Sequence, residues 1–301
     1  MDKSVKPYCN LRRRLIEYTG KNLPTAEEAA MKRVETIYWP GGKERALTLS
    51  YDDGRFEDYR LVEMLNKYGI KSTFHLCIPE LLAKLIGGAA LVDPKDYESL
   101  YRGHEISCHM AHHPFPAWMP DEAIRAEVTD NRLYLEALCG YPVRGMSYPY
   151  GSFSERVIRV CRSAGMEYSR TVRETGEFAV PENFMIWDPT CHHSRADSEL
   201  IERFMRPLNY DRMRLMYVWG HSYEFSDEER WSRMEEFCKG IGGRDDIWYA
   251  TNIEIVDYMN AVRSLRFAEQ CTSVYNPTCA DVWISVDFEK VMIPAGMTVK
   301  L

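Results

Sequence analysis

The chain has 301 residues, 45% of them hydrophobic and 28% charged, which is a globular composition long enough for one large domain or two modest ones. A chain of this length buries about three quarters of its unfolded surface and needs no disulfide staples. The net charge of −7 argues against nucleic acid or an anionic membrane as the main partner.

The nine cysteines include no CxxC pair, and several sit in apolar surroundings, such as Cys77 in FHLCI and Cys161 in VIRVCRSAG. They read as reduced thiols in a reducing compartment. The first twenty residues contain no apolar leader core, and no run approaches 18 apolar residues. The expectation is a cytoplasmic protein with no membrane span, unless a leader has been removed.

In chain order, Leu23-Pro-Thr-Ala-Glu-Glu predicts a helix start, with Thr25 as cap and Glu28 three residues on. Arg33–Trp39 alternates like a strand, and Ala46–Tyr51 reads as a short buried one. Phe56–Tyr68 has helical apolar spacing and stops at Gly69. Ser72–Ile78 predicts a strand, Tyr97–Tyr101 a helix and Glu105–Cys108 a strand. A long amphipathic helix follows over Asp121–Leu138, then a strand end at Gly145–Tyr150 and a helix over Ser154–Ala164. Glu167–Val172, Phe184–Trp187, Arg214–Trp219 and Asp246–Thr251 predict further strands, with helices near 197–206, 227–239 and 252–264. Strand and helix alternating this often implies βαβ units and a mostly parallel sheet, either a closed barrel or an open doubly wound one. No GxGxxG follows the first strand, which weakens a dinucleotide-binding reading. The expected organisation is a peripheral segment over 1–40, an α/β unit over 41–266 and a small β extension over 267–301.

Polar clusters follow five of these strands: Asp52-Asp53, His109 to His113, Tyr148 to Gly151, Asp188 to His193, and His221 to Glu224. In a β/α barrel all such strand ends open on one face, where active sites are built. His109 and His113 are four apart, so on one helical turn both imidazoles could hold one cation. Two imidazoles and a carboxylate leave coordination positions open, and they suit zinc, cobalt, nickel, iron or manganese. Asp52 and Asp53 side by side repel unless something positive binds. Taken alone, Asp52-Asp53-Gly54 reads as a turn capping the next helix.

In order, SYDDG, HMAHHP, SYPYG, WDP and WGHS resemble the five motifs of the polysaccharide deacetylase family (NodB homology, carbohydrate esterase family four), over roughly residues 41–265. The resemblance implies an irregular (β/α) barrel of seven or eight strands and a metal-dependent deacetylase of N-acetylated or O-acetylated sugars. It implies Asp52 as general base, and Asp53, His109 and His113 as ligands to one divalent ion, zinc first. It further implies His221 as the acid that protonates the leaving group, and the backbone N–H of Tyr150 as an oxyanion contact. The reaction implied is attack of metal-activated water on the acetyl carbonyl of an acetylated sugar or glycan.

Two places depart from the family pattern. The third motif carries an arginine that orients the base, whereas Ser147 stands at the aligned place here. Arg144, the nearest arginine, is the candidate to reach in from a shifted position. In the fourth motif Trp187-Asp188 is only similar, with Asp188 as the candidate partner for the base. Arg144, Pro149, Trp187, Asp188, His192 and His193 therefore stand as candidates for substrate or supporting contacts. His192 and His193 read first as solvent-facing loop residues, then as substrate contacts or an extra ligand. Glu224 reads as a helix cap, and Trp118, Trp219 and Trp248 as core or rim residues that could stack on a sugar. Two other functions fit the same chain: a hydrolase of a non-sugar amide, and a carbohydrate-binding barrel that has lost catalysis, for which the missing arginine is the main support.

Overall fold

A computed structural model describes residues 34–207, 213–269 and 271–301, apart from the Glu35 side chain. The expected helix start at Leu23–Glu28 lies outside the described residues.

The first strand is β1 (Val34–Tyr38), followed by β2 (Arg45–Asp52), β3 (Ser72–Leu76), β4 (Glu105–Cys108), β5 (Gly145–Ser147) and β6 (Tyr168–Arg170). Then come β7 (Cys191–His192), β8 (Arg214–His221) and β9 (Ile247–Tyr249). Strands β2 to β9 form one all-parallel sheet in the order β6-β5-β4-β3-β2-β8-β7, and β9 pairs with the first half of β2. All eight residues of β2 are buried, as befits a central strand covered on both faces. The sheet curls into the (β/α) barrel expected of the polysaccharide deacetylase type. A contact across the mouth demonstrates the curl: Arg170 on the edge strand β6 reaches Asp52 on the central strand β2.

Helices pack outside the sheet between strands. Several begin where a side chain accepts the exposed N–H groups of the first turn: Ser154, Asp197, Asp227 and Thr251 each accept from the residue three positions on. The long helix Asp121–Cys139 ends at Gly140 in the left-handed region, φ 75°. Below the mouth the barrel is plugged by polar groups. Glu105 accepts from Thr73 Oγ1 at 2.9 Å, Tyr168 Oη at 2.8 Å and the Ile253 N–H at 2.9 Å. Tyr168 crosses the interior directly over Gly145, where a Cβ would lie 1.9 Å from its ring.

The expected strand at Phe184–Trp187 is instead a 3-10 turn over Phe184–Ile186, since the Asn183 side chain accepts from the Met185 N–H and closes the chain locally. Only Trp187 bridges to the sheet, opposite Arg170. The tail is β, as expected: β10 (Arg266–Phe267), β11 (Ser273–Tyr275), β12 (Val282–Val286), β13 (Glu289–Ile293) and β14 (Thr298–Lys300). They form two antiparallel sheets, β10-β11-β14 and β1-β12-β13, so Val34–Tyr38 pairs with the tail. No helix among the described residues is long and apolar enough to cross a membrane.

Candidate active site at the barrel mouth

Register fixes the first members. Asp52, the last residue of β2, lies opposite His75 on β3 and His221 on β8. The chain then turns sharply, with Asp53 itself in the left-handed region at φ 80°. This turn brings two consecutive carboxylates to one mouth. The loop from His109 to His113 does the same by another route. It is not a helical turn, as the spacing suggested, but an irregular segment with Met110 at φ 59° and His113 at φ 55°. Tyr150 is also left-handed, at φ 56°. Non-glycine residues held there cost about 1–3 kcal/mol each and persist where surrounding contacts over-determine them.

Asp53 Oδ1 lies 3.8 Å from His109 Nε2 and 3.7 Å from His113 Nε2. It is buried and has no hydrogen-bond partner. His109 Nδ1 lies 3.1 Å from the Ser147 carbonyl, which can only accept. The ring proton therefore sits on Nδ1, and the Nε2 lone pair faces Asp53, as a metal-ligating histidine requires. Burial lowers the pKa of both His109 and His113, favouring the uncharged form. These three residues fit a divalent ion.

Asp52 is treated differently. Burial pushes its pKa up, but Arg170, with His109 beyond it, outweighs this and holds the carboxyl well below the usual range. Arg170 is completely buried, donates from Nη2 to Asp52 Oδ2 and stacks 4.3 Å over the Trp219 ring. Ser147 Oγ donates to Asp52 Oδ1 at 3.2 Å and lies 2.7 Å from His109 Nδ1, which ties these two residues together. Asp52 Oδ2 is 3.8 Å from His109 Nε2 and 4.0 Å from His221 Nε2. On the far side of His221, Glu224 Oε2 lies 3.4 Å from Nδ1 and accepts the His221 N–H at 3.0 Å. Burial lowers the His221 pKa, but Glu224, Asp52 and Asp53 outweigh it and raise the net value.

Arg144, expected to reach inward, instead pairs at the surface with Asp257 at 2.6 Å and Glu167 at 3.2 Å, because it precedes β5 at the closed end of the barrel. Its place is taken by Arg170, opposite Ser147 on the neighbouring strand. The signal available in sequence was an arginine closing a strand otherwise destined for the interior. Asp188 does not touch Asp52. It accepts from Thr171 Oγ1 and from Arg173 Nε, bracing the segment just after Arg170. Trp187 is core, packed edge-on to Tyr168, Phe184 and Tyr217. Pro149 is buried in the turn that carries Tyr150. Trp248 packs on Trp39 and Tyr258 beside the start of β2, far from the mouth. His192 and His193 are not loose loop residues: both face Glu224, at 2.8 Å and 3.5 Å. Glu224 itself closes a capping box on its turn and is also the neighbour of His221. His112 pairs with Glu127, and His104 accepts from the Ser72 N–H, away from the mouth.

The family model for polysaccharide deacetylases matches residues 40–169, a span that contains Asp52, Asp53, His109, His113 and Tyr150. Residues 40–169 belong to the polysaccharide deacetylase family. A Mycobacterium smegmatis protein of the polysaccharide deacetylase type has the same fold, with 16% identity, a TM-score of 0.56 and coverage of 77% of this chain and 96% of that one. So has Puue allantoinase, at 13% identity and a TM-score of 0.55, over 73% of this chain and 91% of that one. A family 4 carbohydrate esterase from Streptomyces lividans, solved with acetate, is 14% identical with a TM-score of 0.47, over 69% of this chain and 93% of that one. The family match ends one residue before Arg170, so the deacetylase-like half of the mouth is completed by Arg170, His221 and Glu224 from beyond it.

Proposed function

We propose that the chain is a metal-dependent hydrolase that removes an acetyl group from an N-acetylated or O-acetylated sugar or short glycan. The observation that carries this reading is the convergence of Asp52, fixed in its ionised form by Arg170, with His221 and with the ligand set Asp53, His109 and His113. A divalent ion held there, zinc first, supplies Lewis acidity toward a carbonyl and acidifies water. A carboxylate as acidic as Asp52 is a weak base, so it needs such an acidified proton donor. His221, whose pKa Glu224 helps to raise, presents Nε2 to the same space and delivers its proton to the departing nitrogen or oxygen. Tyr150 brings its backbone to the oxyanion side.

Arg170 also removes the main argument for an inactive carbohydrate-binding barrel, since the base does have its guanidinium. A hydrolase of a non-sugar amide remains the second reading, because Puue allantoinase shares the fold. A stack of exposed rings favours the sugar. Tyr150 lies 4.3 Å from the His113 ring, Phe115 3.9 Å from Tyr150, and Trp118 5.3 Å from Phe115. Trp118 is 84% exposed, an open indole face suited to the apolar face of a pyranose. The test is acetate release from N-acetylglucosamine, its β-1,4-linked oligomers and acetylated xylo-oligosaccharides, with Asp52→Asn as control. Acetate release that is lost in the variant supports the proposal. Hydrolysis of allantoin without acetate release from any sugar moves the chain to the second reading.

A further inference from the structure

A second group of ligating side chains converges beside the mouth, behind His221. Consecutive residues of an extended strand point to opposite faces. At the end of β7 the turn His193–Arg195 cancels that alternation, and the His192 and His193 rings lie 4.3 Å apart, tilted by 40°. Both offer Nε2 to one oxygen, Glu224 Oε2, at 2.8 Å and 3.5 Å. Ligands on a tetrahedral zinc, each about 2.0–2.1 Å from the ion, are about 3.3 Å apart, and the two spacings straddle that value. His192 Nδ1 accepts the Ser194 N–H at 3.3 Å, so without an ion the ring proton sits on Nε2 and is donated to Glu224. A cation bound there would displace that proton, and the Ser194 hydroxyl, 2.9 Å from Nδ1, could then accept from the other ring nitrogen. His193 is held between Tyr51, 5.7 Å away, and Phe225, 4.4 Å away. Its other edge abuts Gly220, where a Cβ would fall 2.1 Å from Nδ1, so the ring is fixed with Nε2 toward Glu224. Burial lowers the His193 pKa to about 3, the neutral form a cation needs. The three residues line one end of a cavity of about 630 Å³ between the helices Ser198–Met205 and Glu228–Ile241, with Ile201, Met234 and Phe237 on its walls. The cavity gives a bound ion room for water in its remaining positions.

We propose that His192, His193 and Glu224 form a second divalent-cation site of the zinc type, and that its ion competes with His221 for Glu224 Oε2. The oxygen that would bind the ion is the one 3.4 Å from His221 Nδ1. Filling the site therefore withdraws the group that orients the acid. The first ion supports the proposed reaction and the second opposes it.

The experiment counts zinc per chain by elemental analysis, after equilibrating the full-length apoprotein with buffered free Zn²⁺ at rising concentration. It needs no substrate. The expected result is two ions in the wild type, one in His113→Ala and one in His192→Ala, with binding of the second ion weakened at least about 100-fold in His192→Ala. Glu224→Gln, close in volume, should also lose the second ion. The first ion retained in either variant shows that the barrel has folded. Saturation of the wild type at one ion that is lost in His113→Ala overturns the second site and leaves the proposed function standing. Two ions persisting in His192→Ala also overturns it. No zinc in any form sinks both. Activity of the wild type should rise with the first equivalent and fall with the second, and the fall should be absent in His192→Ala.

Discussion

His221 stands between two carboxylates that the fold compensates in different ways. On one side Asp52 is buried at the end of the central strand, and its partner is the buried guanidinium of Arg170. On the other side Glu224 is only part buried, and its partners are the imidazoles of His192, His193 and His221, which all reach the same carboxylate oxygen. The first pair makes a fixed charge. The second makes a charge that neighbours share and a cation can claim. The difference suits the proposed roles: a base has to be ionised throughout, whereas a group that tunes an acid can be adjustable.

The strongest way to break the fixed side is Asp52→Asn. Turnover should fall by about 10³-fold, within the range for loss of a general base, while the Asp53, His109, His113 site keeps its ion. Unchanged turnover with full metal content would remove Asp52 from the base role. Arg170→Met attacks the same pair from the other end. It leaves a buried, unpaired carboxylate and should lower unfolding free energy by about 3–5 kcal/mol in denaturant titration at neutral pH. The sign with pH follows from the lowered Asp52 pKa. A carboxyl depressed in the folded state stabilises above its unfolded pKa of about 3.9 and loses that contribution as pH falls below it. The gap between wild type and variant should therefore be full at neutral pH and shrink below about pH 4. A gap that is constant with pH would mean that Arg170 acts by packing on Trp219 instead.

The residue between the two carboxylates comes next. His221→Ala should slow turnover by about 10²-fold with metal content intact, since His221 faces Asp52 at 4.0 Å and is not one of the three residues Asp53, His109 and His113 that converge to hold the ion. Loss of metal in that variant would make His221 a ligand.

Much of the mouth could be read in the sequence because its residues come from ordered strand ends, and a parallel barrel gathers those ends on one face. Asp52, Asp53, His109, His113 and His221 were legible for that reason. The backbone that delivers them was not. The four-residue spacing of His109 and His113 suggested a helical turn, whereas left-handed residues achieve the convergence, and no local pattern announces them. Arg144 and Arg170 show the same limit. Arg144 lies just before the third motif but precedes its strand and faces solvent, while Arg170 ends the next strand, a whole helix further on, and crosses to Asp52. Which of the two enters depends on closure of the sheet, a non-local event. Glu224 was hidden because a cap and a partner to His221 look alike in sequence, and here it does both.

The adjustable side gives the smallest and most diagnostic effect. Glu224→Gln keeps an oxygen to accept the His221 N–H but removes the charge near Nδ1. At neutral pH turnover should fall only about tenfold, since a hydrogen bond to a charged group is worth ~1.5 kcal/mol. The pH profile carries the sign. Glu224 helps to raise the His221 pKa, so in the wild type the acid stays protonated to higher pH than an ordinary histidine. Without that charge the alkaline limb of kcat/KM should move to lower pH, while the acid limb, set by Asp52 and Arg170, stays in place. Rescue by Glu224→Asp should be partial, because the shorter side chain restores charge but not reach. A uniform drop across the profile, with no displacement of the alkaline limb, would show that Glu224 holds its turn and leaves the acid untouched.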